Sequence, residues 1–201
     1  MSCRRGRWIA AWFALVWTSA IASAAPLVIS ELMYHPPGTN LLEEWFELHN
    51  PDPAPVDLSG WQVTKGVHFT VPTHTVIAAN GYLVVAADAA TFAARHPAVA
   101  NFVGGWTGSL SDSGDTVEVQ DLTGTVRAQV TYATEGDWAV RRLAAPDRYG
   151  KVGWEWFAAH KGGGSSAELV NEALPLSAGQ NWVSSTVLGG TPGAPDRKSV
   201  V

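Results

Sequence analysis

EEWFELHNP, residues 43–51, decides the fold. Along an extended chain Glu44, Phe46 and Leu48 point one way and Trp45, Glu47 and His49 the other, which is the period of a β-strand. Asn50-Pro51 then supplies a turn. Five further stretches share this build: VISELMYHP (28–36), VDLSGW (56–61), NGYLVVA (80–86), LSDSGDTVEV (110–119) and GGTPGAP (189–195). Each sets β-branched, aromatic or Leu residues beside a turn pair, and a chain of many short strands is the pattern of a β-sandwich.

The intervening residues agree. Residues 27–33 form a first strand, and Val67, Phe69 and Val71 alternate with His68 and Thr70 as a half-buried one. Tyr82 to Ala87 is continuously apolar and reads as a central strand covered on both faces. Asp88 then caps a short Ala-rich helix that ends before Pro97. The runs 116–120 and 126–132 alternate around Asp121-Leu122-Thr123-Gly124-Thr125 and predict a hairpin. Late strands are expected around Glu168–Asn171 and Trp182–Ser185, with Gly162-Gly163-Gly164-Ser165-Ser166 as a flexible turn. No internal repeat is evident.

In this order and wording the six stretches resemble the lamin tail domain, from Leu27 to about Asp196. The most specific parts are Ile29-Ser30-Glu31, Glu44-Trp45-Phe46-Glu47-Leu48 running into Asn50-Pro51, Asp57-Leu58-Ser59-Gly60-Trp61 and Gly190-Thr191-Pro192-Gly193-Ala194-Pro195. The resemblance implies an all-β fold, an immunoglobulin-like β-sandwich with one short helix, of the kind found in nuclear lamins and in exported bacterial proteins. A Trp- and Gly-rich segment, about 133–166, departs from the shorter pattern.

The first residues read as an export signal. Arg4, Arg5 and Arg7 precede an apolar run from Trp8 to Ala22, and Ala22-Ser23-Ala24 offers the small residues a signal peptidase requires. The run falls short of the ~20 residues that span a bilayer comfortably, so cleavage rather than anchoring is expected. The organisation is then a signal peptide over 1–24, one sandwich over 25–196 and a tail over 197–201. Cys3, the only cysteine, lies in the leader, which leaves the mature chain without disulfide or thiol chemistry. The expected location is secreted, periplasmic or on the cell surface.

Removing the leader takes the formal charge from -5 to -8, with 10 basic and 18 acidic residues remaining. That balance opposes binding of nucleic acid, which needs a basic stripe to displace counterions from phosphates. The chemistry of catalysis is missing too. The six histidines never fall four apart on a helix, Lys161-Gly162-Gly163-Gly164-Ser165 lacks the order of a P-loop, and no serine occupies a nucleophile elbow. No enzyme activity and no cofactor are expected.

Three constellations remain. Glu31, Glu43, Glu44 and Glu47 lie on or beside two strands that can pair, the residue type that holds calcium. Calcium needs six or more oxygens, so capping of turns or of buried backbone is the more economical role for these carboxylates. Ser111-Asp112-Ser113-Gly114-Asp115 is oxygen-rich but reads as a hairpin turn, without EF-hand spacing. The third is aromatic: Trp138, Trp154, Trp156 and Trp182, with Phe157 and His160. Trp154 and Trp156 fall on one face of a strand and offer a flat platform for a sugar ring. The competing reading makes the group a satellite core covering one end of the sandwich.

The sequence thus predicts a secreted, non-catalytic binding or tethering module at the front of a larger extracellular or surface protein. Its partner is an extracellular protein or polysaccharide, met through Trp154, Trp156, Trp138 and His160. Rival readings are a carbohydrate-binding accessory of an exported enzyme and a purely structural spacer.

Overall fold

The computed structural model describes residues 27–195; the expected leader over 1–24, with Cys3, and the tail over 197–201 lie outside them. The strands are β1 (Val28–Met33), β2 (Trp45–His49), β3 (Val56–Asp57), β4 (Gln62–Lys65), β5 (Phe69–Thr70), β6 (Val76–Ile77) and β7 (Tyr82–Ala86). After helix α1 (Ala89–Arg95) come β8 (Phe102–Gly104), β9 (Gly114–Gln120), β10 (Val126–Ala133), β11 (Val140–Leu143), β12 (Trp154–Phe157), β13 (Ala167–Leu169) and β14 (Trp182–Ser184). One sheet runs β14-β13-β1-β2-β7-β8, and a second runs β10-β9-β4-β5. Two ribbons, β3-β6 and β11-β12, complete the architecture.

The two sheets enclose one core. Ile29, Leu32, Phe46, Leu48, Leu83 and Val85 from the first meet Val63, Val117, Val119, Val130 and Tyr132 from the second. Each such side chain stabilises the fold by about 1.5–3 kcal/mol through removal of apolar surface from water. Tyr34, just past β1, stacks on Tyr132 of β10 at 4.5 Å and joins the sheets at one end. Trp45, Met33, Val84 and Ala86 face the other way and pack with Phe92 of α1. The larger sheet is therefore covered on both faces, which is why Tyr82–Ala86 is apolar throughout.

Local rules account for the details. Asp88 accepts the amide of Thr91 at 2.7 Å and starts α1 as its N-cap. The pairing of β1 with β2 shifts register between Ile29 and Glu31, a bulge that lets Ile29 and Leu32, three apart, both reach the core. Asn50 donates to the carbonyls of Ala54 and Ala78 at 2.8 and 3.0 Å and accepts from Asp52, pinning two loops at the end of β2. The Gly162–Ser166 stretch is not the loose turn its composition suggests. Gly162 donates to His35, Gly164 accepts from Gly189, and Ser165 and Ser166 are buried. Among the described residues no helix is long and apolar enough to cross a membrane.

Candidate functional site

The segment set apart in the sequence builds the β11-β12 ribbon. Val140, Arg141, Arg142 and Leu143 pair with Phe157, Trp156, Glu155 and Trp154, and among the described residues neither strand joins another sheet. The antiparallel register places Arg141, Leu143, Trp154 and Trp156 on one face and Val140, Arg142, Glu155 and Phe157 on the other. Every residue of both strands is exposed, Trp154 at 63% and Trp156 at 46%.

Cations hold this ribbon together. The Arg141 guanidinium lies 5.5 Å from the ring centre of Trp154 and 5.7 Å from that of Trp156, between the two indoles. On the opposite face Arg142 lies over Phe157, 3.8 Å from its ring centre, and bonds Glu155 at 2.7 Å. The tip is closed by Asp147, whose carboxylate accepts the amides of Tyr149 and Lys151 at 2.8 and 2.9 Å. Arg148 sits 4.7 Å from the Tyr149 ring. An isolated two-stranded ribbon is marginal in water, so these contacts and the short tip fix its shape.

Trp138 and His160, expected beside Trp154 and Trp156, are not part of that platform. Trp138 is buried, stacks on Trp182 at 5.5 Å and meets Tyr132 edge-on. His160 is buried against Tyr34, and its Nδ1 lies 2.9 Å from the Ser184 hydroxyl. Burial pushes its imidazole down to about pKa 4, against the opposing pull of the Trp138 backbone. Both line a cleft of about 420 Å³ beneath the ribbon's base, with Val140 and Phe157 on its other wall. The aromatic constellation therefore divides into an outward platform and a satellite core.

The acidic constellation divides as well. Glu44 turns inward and accepts the Leu110 amide at 2.8 Å; burial raises its carboxyl to about 7. Glu43 is drawn away to Arg95. Glu31 and Glu47 are direct neighbours across β1 and β2, and Glu168 of β13 stands opposite Glu31 on its other side. Over this row lies the closing stretch 190–195. Glu31 accepts the amide of Thr191 at 2.9 Å and the Ser166 hydroxyl. Glu47 accepts the amide of Gly193 at 2.5 Å and the Ser30 hydroxyl at 2.8 Å. Glu168 accepts the Thr191 hydroxyl at 3.2 Å. These carboxylates bind backbone and hydroxyls of their own chain, and among the described residues no group of three His, Cys, Asp or Glu is arranged to hold a metal ion.

Arg141 and Leu143 escaped the sequence reading. The available signal was the antiparallel arithmetic that puts them opposite Trp156 and Trp154, but Val-Arg-Arg-Leu carries no alternation to announce a strand.

The Lamin Tail Domain profile matches residues 20–134, more than half of the chain. The match spans β1 to β10, while β13 and β14, which extend the larger sheet, lie beyond it. No curated protein matches the chain.

Proposed function

Because the chain belongs to the lamin tail domain family, a non-enzymatic immunoglobulin-like family, we propose that it works as an exported, non-catalytic binding module whose contact surface is the outer face of the β11-β12 ribbon. The observation that carries this reading is the placement of Trp154 and Trp156, side by side and solvent-exposed on a ribbon that no other strand supports among the described residues. Large apolar side chains grouped on an exposed surface mark a contact site. Their flat rings suit a sugar or the surface of an extracellular protein, and the module would tether a larger surface protein to that partner. The Arg-rich start and Ala22-Ser23-Ala24 support export.

Two measurements test the reading. N-terminal sequencing of the exported protein should begin at Ala25; retention of Trp8 to Ala22 refutes export by cleavage. Pull-down on insoluble polysaccharides and on surface extracts should retain the wild type and not the Trp154→Ala/Trp156→Ala variant, with the two melting within about 5 °C of each other. Equal retention of the two proteins removes the ribbon from the contact, and no retention of either leaves a spacer.

A further inference from the structure

The cations of the ribbon differ from those of the sandwich. Lys65, Arg95 and Arg127 each lie against a carboxylate, that of Glu118, Glu43 and Asp121 respectively. Arg141, Arg148 and Lys151 have no ion pair among the described residues, a condition shared there only with Lys161. The two carboxylates of the ribbon are already occupied, Glu155 by Arg142 and Asp147 by two tip amides. A segment with free positive charge thus projects from a chain of formal net charge -5.

From this, and resting on the ribbon being the contact surface, we propose that its ligand is an acidic polysaccharide, stacked on Trp154 and Trp156 and paired through its carboxylates with Arg141 and with Arg148 and Lys151 at the tip. The geometry is composite. Arg141 is shared between the two indoles at 5.5 and 5.7 Å from their ring centres, and both rings stay exposed, so ring surface is open for the C–H face of a pyranose. A guanidinium beside that surface, without an ion pair among the described residues, can take a carboxylate in a two-point bond.

Other polyanions fit less well. Nucleic acid brings one phosphate for every ~1.7 Å of duplex, and the acidic sandwich behind the ribbon repels so dense a charge. An anionic bilayer would have to accept two open strand edges, whose backbone N–H and C=O groups find no partner in hydrocarbon. A hydrated polymer with one carboxylate every sugar or two satisfies edges, rings and cations together.

The test is affinity electrophoresis of the full chain in gels holding alginate, polygalacturonate or hyaluronan, against methyl-esterified polygalacturonate and hydroxyethylcellulose, with phosphatidylglycerol vesicles in a parallel sedimentation assay. At least one acidic polymer should retard the wild type more than every neutral one, and the preference should fade as salt shortens the reach of charge. Arg141→Gln, and Arg148→Gln with Lys151→Gln, should each weaken retardation about tenfold while the sandwich melts within about 5 °C of the wild type. Trp154→Ala/Trp156→Ala should abolish it. Retardation by neutral polymers without charge preference overturns this inference and leaves the ribbon as a contact surface. Preferential sedimentation with vesicles overturns it in favour of a lipid surface. No retardation by any acidic polymer overturns it outright, and capture of a protein partner lost with the Trp variant would then keep the ribbon as the site.

Discussion

Glu47 on β2 accepts the backbone amide of Gly193, 146 positions further along the chain, at 2.5 Å. Its other oxygen takes the hydroxyl of Ser30, the residue at the β1 bulge. Neighbouring Glu31 takes Thr191. Three of the most recognisable stretches of the sequence, Ile29-Ser30-Glu31, Trp45-Phe46-Glu47 and Gly190-Thr191-Pro192-Gly193, are thus one structural device. Two buried carboxylates on paired strands strap the end of the domain across the outer face of its larger sheet.

Glu47→Ala should therefore destabilise the domain by about 1–3 kcal/mol, because the Gly193 amide and the Ser30 hydroxyl lose their buried acceptor. The loss should appear in chemical denaturation. Hydrogen exchange should rise at Thr191 and Gly193 well before it rises in β9 and β10. A variant as stable as the wild type would show that the strap contributes nothing.

The same burial makes stability depend on pH. Burial raises Glu47 to about 7, with the Glu168 charge adding to it and the bonds from Gly193 and Ser30 opposing; Glu44 is raised to about 7 mainly by burial. Between the ordinary value of 4.5 and about 7 the folded state holds protons that the unfolded chain has released. The stabilisation is complete below that window and is lost as pH rises through it. For Glu47 this is on the order of 3 kcal/mol. His160 acts oppositely: its contribution is complete above 6.5 and is lost as pH falls towards about 4. His96, lowered by burial and by the neighbouring Arg95, adds to that opposition, but both histidines act below 6.5, so from about pH 6.5 to about pH 7.5 the two carboxylates act alone and the melting temperature should fall. Glu47→Gln should flatten that slope; a melting temperature that rises over this range contradicts the assignment.

Gly190 tests the fit of the strap. Its φ of +83° lies in the left-handed region, and a Cβ there would run into the Glu31 carboxylate, the Ser166 hydroxyl and the Trp45 ring. Gly190→Ala should cost more than the roughly 1 kcal/mol of the backbone conformation alone. Gly38, with φ +88° and open space around it, is the control: Gly38→Ala meets only the conformational cost.

A chelator should leave the melting temperature unchanged, since Glu31, Glu44 and Glu47 hold donors of their own chain. A loss restored by calcium alone would show that an ion shares the carboxylate row, with its binding coupled to folding.

What the sequence revealed and what it hid have physical reasons. β2, β7 and the β9-β10 hairpin carry either alternation or an unbroken apolar run, and α1 carries its cap, so side-chain chemistry alone located them. That the buried carboxylates cap backbone was legible, but their partners were not, because the donors are backbone amides of Thr191 and Gly193 and an amide leaves no mark on a sequence. Trp138 and Trp154 looked alike because both stand in one Trp-rich segment. Their fates differ because Trp138 closes a 3-10 turn against Trp182, whereas Trp154 is on the exposed outer face of a ribbon that joins no other sheet among the described residues.

That difference yields a sharp contrast in stability. Trp138→Ala removes a buried ring stacked on Trp182 and should cost roughly 3–5 kcal/mol. Trp154→Ala with Trp156→Ala removes two exposed rings that meet Arg141, and should cost only about 1 kcal/mol. Urea unfolding of the two variants side by side reads both numbers. Should the double variant lose as much as Trp138→Ala, the ribbon's outer face is packed against the domain in solution and cannot be its contact surface. Should both lose little, the Trp138–Trp182 stack contributes nothing to the core.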